Sequence, residues 1–445
     1  MDKKELTGKF KAIGAGFAVD PRNSAVTLSL LDEGRALQAR EVFYAALNGL
    51  EPFFTVFIKG APFCFMPDAW DHILYAGKAG AGHARIPACA ACALKALCPG
   101  LKKNGVFFKS LRGELKPVLA APREVVFELT KDCNLNCGVC FAGKTAGEQP
   151  LKKLKELLAE ARALGVKDIR FTGGEPFLSP NLLPMLKAAK AAGFYTLVNT
   201  NASVPGSGLL EKAAPLIDNV LVSLQGHDAG SESLATGVKG LFPLKLANMR
   251  RLRSKVRVFR LGTVASRDVL NNFTAYRALA VKLKADVWEI YRPMLDKRNA
   301  AAGGEFDLKP ADMKRLSAVI AALKPGGPRT LLANPLPLCL VPAAERKHLL
   351  GAAFDDGHTR LVHDPRGFFK PSYYIAERLG EGIKEAWGSA YMRTLRSFAW
   401  LPSRCRPCVH LLKCLGGSRF LAKTAAGNYF AADPWMPGPK ASPIK

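Results

Sequence analysis

The residues best suited to chemistry in this chain are its eleven cysteines, which fall into three groups. Cys64, Cys89, Cys92 and Cys98 form the first, Cys133, Cys137 and Cys140 the second, and Cys339, Cys405, Cys408 and Cys414 the third. The outer groups share a pattern: Pro-x-Cys-x-x-Pro at 62–67 and again at 337–342, then Cys-x-x-Cys, five residues and Cys-x-Gly. This reads as one small metal module used twice. Four thiolates close the coordination of zinc or of a cubane [4Fe–4S] cluster, and spacing alone leaves both metals open for the quartets. The middle group has three thiolates and no fourth cysteine to spare. A cubane held there keeps one iron free to bind a substrate or cofactor.

The context of the middle group narrows the chemistry. Cys133-x-x-x-Cys137-x-x-Cys140 follows an apolar strand at 125–129, and Phe171-Thr172-Gly173-Gly174-Glu175-Pro176 comes about thirty residues later. Two glycines let backbone carbonyls approach a ligand closely, and a carboxylate pairs with an ammonium. Together these segments resemble the cysteine loop and the Gly-Gly-Glu-Pro motif of the radical S-adenosylmethionine (radical SAM) superfamily. Val139 stands where that family often has an aromatic residue, with Phe141 close behind.

The resemblance implies that Cys133, Cys137 and Cys140 hold the catalytic [4Fe–4S] cluster. Its open iron chelates S-adenosylmethionine, and one electron cleaves the sulfonium to give a 5′-deoxyadenosyl radical that abstracts hydrogen from substrate. It also implies cofactor contacts from Gly173, Gly174, Glu175 and Pro176, from Asn201 in Thr200-Asn201-Ala202, and from Ser223 after the fourth strand. Gly262-Thr263-Val264 is a poor match to the adenine-binding pattern. The last quartet resembles SPASM or twitch domains, but Ser372 and Ser418 stand at two of that family's cysteine positions, which points to a single cluster closed by Cys339. On this reading the two outer quartets hold auxiliary [4Fe–4S] clusters that transfer electrons, with zinc as the alternative. A reductant such as flavodoxin or ferredoxin is expected.

The intervening chain alternates strands and helices. Helices are expected at 151–164, 180–192, 209–214, within 234–253 and at 271–284. Strands are expected at 166–172, 194–200, 220–224, 256–264 and 286–292. Such alternation implies an α/β fold with a parallel sheet and right-handed crossovers. The resemblance sharpens this to a partial (β/α)6 TIM-like barrel over about 119–305, with ligands at the C-terminal strand ends. The expected organisation is an N-terminal cluster module at 1–118, a core at 119–320, a SPASM/twitch-like module at 321–434 and a disordered tail at 435–445. Arg292 reads equally as a cavity or a surface residue, and His410 as a solvated loop residue. Arg250, Arg251, Arg253, Lys255, Arg257 and Arg260 read as a solvated face.

Composition bounds the partners. With 64 Lys and Arg against 37 Asp and Glu, the net charge of +27 attracts polyanions, so RNA joins a peptide or protein as a substrate class. SPASM-like relatives favour the peptide. Met1–Glu5 lacks a following apolar stretch and no run is long enough to cross a bilayer, so a cytoplasmic location without membrane contact is expected. A non-catalytic electron carrier or zinc-module nucleic-acid binder accounts for the quartets and the charge. It leaves the three-cysteine loop, Gly-Gly-Glu-Pro and the βα series unexplained.

Overall fold

A computed structural model describes residues 8–437 apart from 9, 76, 78–79, 141, 143–146, 298, 300–302 and 353–356. Phe141 and residues 438–445 of the expected tail therefore lie outside the described residues.

The chain opens with a three-stranded sheet. Strands β1 (Ala15–Asp20) and β2 (Ala25–Leu30) form an antiparallel hairpin, and helix α1 (Ala36–Leu50) carries the chain over to β3 (Thr55–Lys59), parallel to β2. Ala36, Ala39, Phe43 and Leu47 recur every three to four positions of α1, so a single stripe of the helix is buried against the sheet. A two-strand ladder, β4 (His83–Ala84) with β5 (Leu101–Lys102), flanks the loop that bears Cys89, Cys92 and Cys98.

The central element is a nine-stranded sheet in the order β12-β11-β10-β9-β8-β7-β6-β13-β14. Its strands are β6 (Glu124–Glu128), β7 (Asp168–Thr172), β8 (Tyr195–Thr200), β9 (Asn219–Ser223), β10 (Val258–Val264), β11 (Val287–Tyr291), β12 (Arg329–Ala333), β13 (Arg360–Asp364) and β14 (Phe368–Lys370). All run parallel except β14, which pairs antiparallel with β13. Helices α2 (Leu151–Ala163), α3 (Leu182–Ala191), α4 (Ser207–Ala213), α5 (Ala229–Thr236), α6 (Phe242–Arg253), α7 (Phe273–Lys282) and α8 (Pro310–Ala321) lie between the strands in sequence.

The six expected βα strands are all present. The sheet does not stop with them: β12 extends it beyond β11, and β13 pairs with β6 at the other side, Arg360 opposite Glu124. Segments from 321–434 are thus hydrogen-bonded into the core sheet, which stays open among the described residues. The two faces differ in chemistry. Val125, Phe127, Ile169, Phe171, Val198, Val220, Val222, Phe259, Leu261, Trp288 and Ile290 are buried in the apolar core. The alternate positions carry polar groups that line a cavity, Glu124, Arg170, Asn199, Arg260 and Glu289 among them.

Three local expectations are corrected by packing. Arg292 is neither a cavity nor a surface residue: it is fully buried and pairs bidentately with Asp433, Nη1 at 2.8 Å and Nη2 at 3.1 Å, with Trp435 3.8 Å from its guanidinium. Asp433 and Trp435, on either side of the expected start of the tail, thus form a strap packed on Arg292. His410 is not solvated but buried, its ring 5.4 Å from that of Phe57. Arg260 leaves the solvated face to point inside, donating to Glu289 at 2.6 Å and Asn219 at 2.8 Å.

Ser372 and Ser418 take structural work in place of a metal. Ser372 Oγ accepts from Tyr374 N and Ile375 N, and Ser418 Oγ caps helix α9 (Arg419–Ala426) by accepting from Leu421 N.

The outer modules meet in space. One apolar core joins Val26, Phe43, Ile58 and Phe63 from the N-terminal region with Phe398, Leu401, Leu411 and Leu415 from the C-terminal region. Cysteines of both quartets, Cys64, Cys89, Cys92, Cys98 and Cys405, pack against it.

Candidate active site

The site is assembled where the loops after β6, β7 and β8 meet. Gly174 N donates to Thr130 O at 2.8 Å and Glu175 N to Asp132 O at 2.7 Å, so the Gly-Gly turn is zipped onto the base of the cysteine loop. This closeness demands glycine. A Cβ on Gly173, whose φ is +143°, meets Thr130 O at 2.2 Å, and one on Gly174 meets Asp132 O at 2.1 Å. Further along, Asn136 N donates to Thr236 O, Asn134 Nδ2 to Ser203 O and Asn299 Nδ2 to Val139 O. These bonds pin the cysteine loop on three sides.

Cys133, Cys137 and Cys140 line one cavity of about 510 Å³ together with Gly173, Gly174, Asn201 and Ser223. Asn201 Nδ2 donates to Asn134 Oδ1 at 2.9 Å and lies 3.7 Å from Cys133 Sγ. Glu175 and Pro176 are buried behind the cavity wall. The Glu175 carboxylate accepts from Phe177 N at 3.1 Å, Thr200 Oγ1 at 2.8 Å and Asn201 N at 2.7 Å. It ties the β7 turn to the β8 turn and positions Asn201. Its burial raises the carboxyl to about 7 against these hydrogen bonds.

An ion pair that no motif announces adjoins this cavity. Lys245 of α6 lines it at 1% exposure and is ion-paired with Glu232 of α5. Glu232 in turn accepts from Gln225 N at 2.8 Å and Gly226 N at 2.7 Å, which fixes the turn after β9. The deeper wall is a charged net on the inward strand positions. Arg170 donates to Glu124 and Asn199, and Arg360 reaches Glu124 at 3.5 Å. Burial alone raises a carboxyl, but these arginines hold Glu124 down to about 2. The signal for this wall was present as charged residues at every second position of otherwise apolar strands, as in Asp168-Ile-Arg-Phe-Thr172.

The thiols fit a cationic group. Burial and then the neighbouring sulfurs push Cys137 and Cys64 up to about 12. Gathered thiols that penalise one another's ionisation are relieved by a bound metal cation. Cys64, Cys89, Cys92 and Cys98 line a single pocket with Arg85 and Lys95. In the last quartet Cys339, Cys405 and Cys414 each feel Cys408, and Leu338 N donates to Cys414 Sγ at 3.4 Å. Among the described residues, no three His, Cys, Asp or Glu side chains stand at the spacing that holds a single metal ion.

Residues 127–264 match the family model of the radical SAM superfamily. The chain is 25% identical to the AdoMet-dependent heme synthase of Methanosarcina barkeri, over 72% of this chain and 98% of that protein. It is 26% identical to a PqqA peptide cyclase from a Methylobacterium species, over 72% of this chain and 86% of that protein. Among solved structures, Streptococcus suis SuiB bound to precursor peptide SuiA aligns with a TM-score of 0.57 at 18% identity, covering 70% of this chain and 75% of that one. The anSMEcpe structure with bound AdoMet aligns at 0.54 and 15% identity, covering 69% and 93%. These structural likenesses concern the fold. The matched segment spans the cysteine loop and the Gly-Gly turn, so residues 127–264 of this chain form a radical SAM domain.

Proposed function

We propose that the three-cysteine loop and its cavity carry out radical chemistry on a peptide. The observation that carries this is the shared lining: Cys133, Cys137 and Cys140 face the same cavity as Gly173, Gly174, Asn201 and Ser223, at the C-terminal ends of parallel strands. Cys133, Cys137 and Cys140 would hold a [4Fe–4S] cluster there, which when bound would supply the electron for reductive cleavage of S-adenosylmethionine and hydrogen abstraction from substrate. The chain's own residues do the rest. The Gly-Gly turn gives the cofactor close access to backbone carbonyls. Glu175 positions Asn201 from behind, and Lys245 offers a cation to the cofactor's carboxylate.

In this reading Cys64, Cys89, Cys92 and Cys98, and Cys339, Cys405, Cys408 and Cys414, hold two auxiliary [4Fe–4S] clusters. Flavodoxin or ferredoxin serves as reductant in the cytoplasm. The 1–118 and 321–434 regions act as the cluster modules of the 119–320 core. Anaerobic iron analysis tests it: about twelve iron per chain, falling to about eight when Cys133, Cys137 and Cys140 become Ala. About four iron with two zinc leaves the catalytic site intact and makes the outer modules structural.

The peptide rests on likeness to the PqqA peptide cyclases, the heme synthase being a relative with a different kind of substrate. The net charge of +27 favours a second reading, RNA or another polyanion. Binding of bulk tRNA at two salt concentrations separates them: affinity that falls steeply with salt supports the polyanion.

A further inference from the structure

The two outer quartets look alike in sequence but stand in different electrostatic surroundings. Beside the last quartet lies Arg346, 3% exposed. Its Nε donates to Leu338 O at 2.9 Å and its Nη2 to Val341 O at 3.3 Å, the carbonyls on either side of Cys339. The guanidinium is thereby fixed against that segment, while its Nη1 is buried and has no hydrogen-bond partner among the described residues. Among the described residues, the groups that act on its charge are the sulfurs of Cys408, Cys339 and Cys414, and Arg404 is a second cation acting on Cys339 and Cys405. His410 Nδ1, between Cys408 and Cys414 in sequence, is likewise buried without a partner. A buried cation with an unused donor costs several kcal/mol unless an anionic acceptor faces it. Four thiolates around a cluster are such an acceptor.

The first quartet has no counterpart. Arg85 is exposed, and its Nη2 is already committed to Lys95 O at 3.0 Å and Cys98 O at 3.1 Å. Water and salt screen a charge in that position.

We propose that Arg346 makes the C-terminal quartet the higher-potential of the two auxiliary sites. This rests on the reading that both quartets hold iron–sulfur clusters. Reduction adds one electron, and so one negative charge, to an already anionic group, and a buried guanidinium beside it favours the reduced form. Cys405 packs on the same apolar core as all four cysteines of the first quartet, so an electron exchanged between the two sites comes to rest at the C-terminal one. Arg346 is a positioning and tuning residue; it touches no substrate.

The test uses the full chain with Cys133, Cys137 and Cys140 changed to Ala, reconstituted anaerobically and titrated with dithionite while the clusters are followed by electron paramagnetic resonance. A second version, also lacking Cys405 and Cys408, identifies the N-terminal signal. Two midpoints are expected, the C-terminal one higher. Arg346→Gln lowers that midpoint alone by about tenfold in the reduction equilibrium, which is 59 mV for one electron. Arg346→Lys, which keeps the charge, lies between. A C-terminal midpoint equal to or below the N-terminal one overturns the proposal even if the Gln variant fails to load. So does a Gln variant that leaves the midpoint in place. Zinc in the quartets, read from metal analysis before any titration, defeats the underlying cluster reading and this proposal with it.

Discussion

Gly174→Ala isolates what the Gly-Gly turn does. The added Cβ meets Asp132 O at 2.1 Å, Asp132 C at 2.5 Å and Lys131 O at 2.6 Å, and each of these is backbone. To restore ordinary contact at 3.4 Å, the Asp132 carbonyl retreats from 2.1 Å by about 1.3 Å. No side chain can swing away to absorb this. Asp132 is bonded to Glu175 N and immediately precedes Cys133, so the shift passes straight to the first thiol. Overpacking of this kind costs about 1–3 kcal/mol, and backbone on backbone belongs at the upper end. Binding that requires the turn in its native position bears this cost, so at about 3 kcal/mol S-adenosylmethionine affinity falls by up to about 150-fold. Equilibrium dialysis of the cofactor against reconstituted protein reads it, with iron content measured alongside. Gly208→Ala is the control: nothing lies within 4 Å of its Cβ, so affinity stays unchanged. Wild-type affinity in Gly174→Ala refutes the account of the turn as a forced close approach.

Three further outcomes follow from particular contacts. Cys137→Ala removes one of the three proposed cluster ligands and is expected to abolish cleavage of S-adenosylmethionine, checked by chromatography of 5′-deoxyadenosine; retained cleavage sinks the assignment. Asp433→Asn leaves the buried Arg292 charge uncompensated and costs about 3–5 kcal/mol in urea unfolding; a loss below about 1 kcal/mol means the strap does not hold the fold. His72 Nε2 lies 2.7 Å from Glu51, and although burial opposes it, Asp71 and Glu51 raise the imidazole from 6.5 to about 9. A raised histidine stabilises fully below about 6.5 and loses that contribution as pH climbs through about 9, so stability declines by up to about 3 kcal/mol across that window. His72→Gln flattens this stretch of the unfolding profile, and an unchanged slope rules the pair out as its source.

Legibility in the sequence tracked locality. The cysteine groups, the Gly-Gly turn and the six strands announced themselves because each rests on spacing within a short stretch: apolar residues every second position, or ligands across one turn. The helix expected within 234–253 is α6, and the shorter α5 before it ends where Gly237 takes φ +70° in a left-handed cap. What escaped was set by partners distant in the chain. Nothing near Arg292 foretells Asp433, which is supplied from 141 residues away. The carboxylate of Glu175 accepts from Phe177 N in its own turn and from Thr200 Oγ1 and Asn201 N at the neighbouring strand end, a role that the Gly-Gly-Glu-Pro string alone does not announce. The Lys245–Glu232 pair belongs to two separate helices, and the register that joins them is decided by the sheet beneath.

The sheet also changes how the outer modules relate to the chemistry. A linker-tethered module would leave the core sheet indifferent to its loading. Here β13, from the C-terminal region, is a hydrogen-bonded neighbour of β6, and β6 leads directly into the cysteine loop. The contact is chemical as well as mechanical: Lys370 on β14 pairs with Glu128 at the end of β6 at 2.8 Å, and Lys131 at the start of the cysteine loop reaches Asp364 of β13 at 3.6 Å. Two buried lysines and two buried carboxylates from both sides of that junction therefore satisfy one another, and removing either side strands charges in the interior. The C-terminal region is thus a wall of the site as well as a carrier of cysteines, and its loss undermines the seating of Cys133 before any question of electron transfer arises.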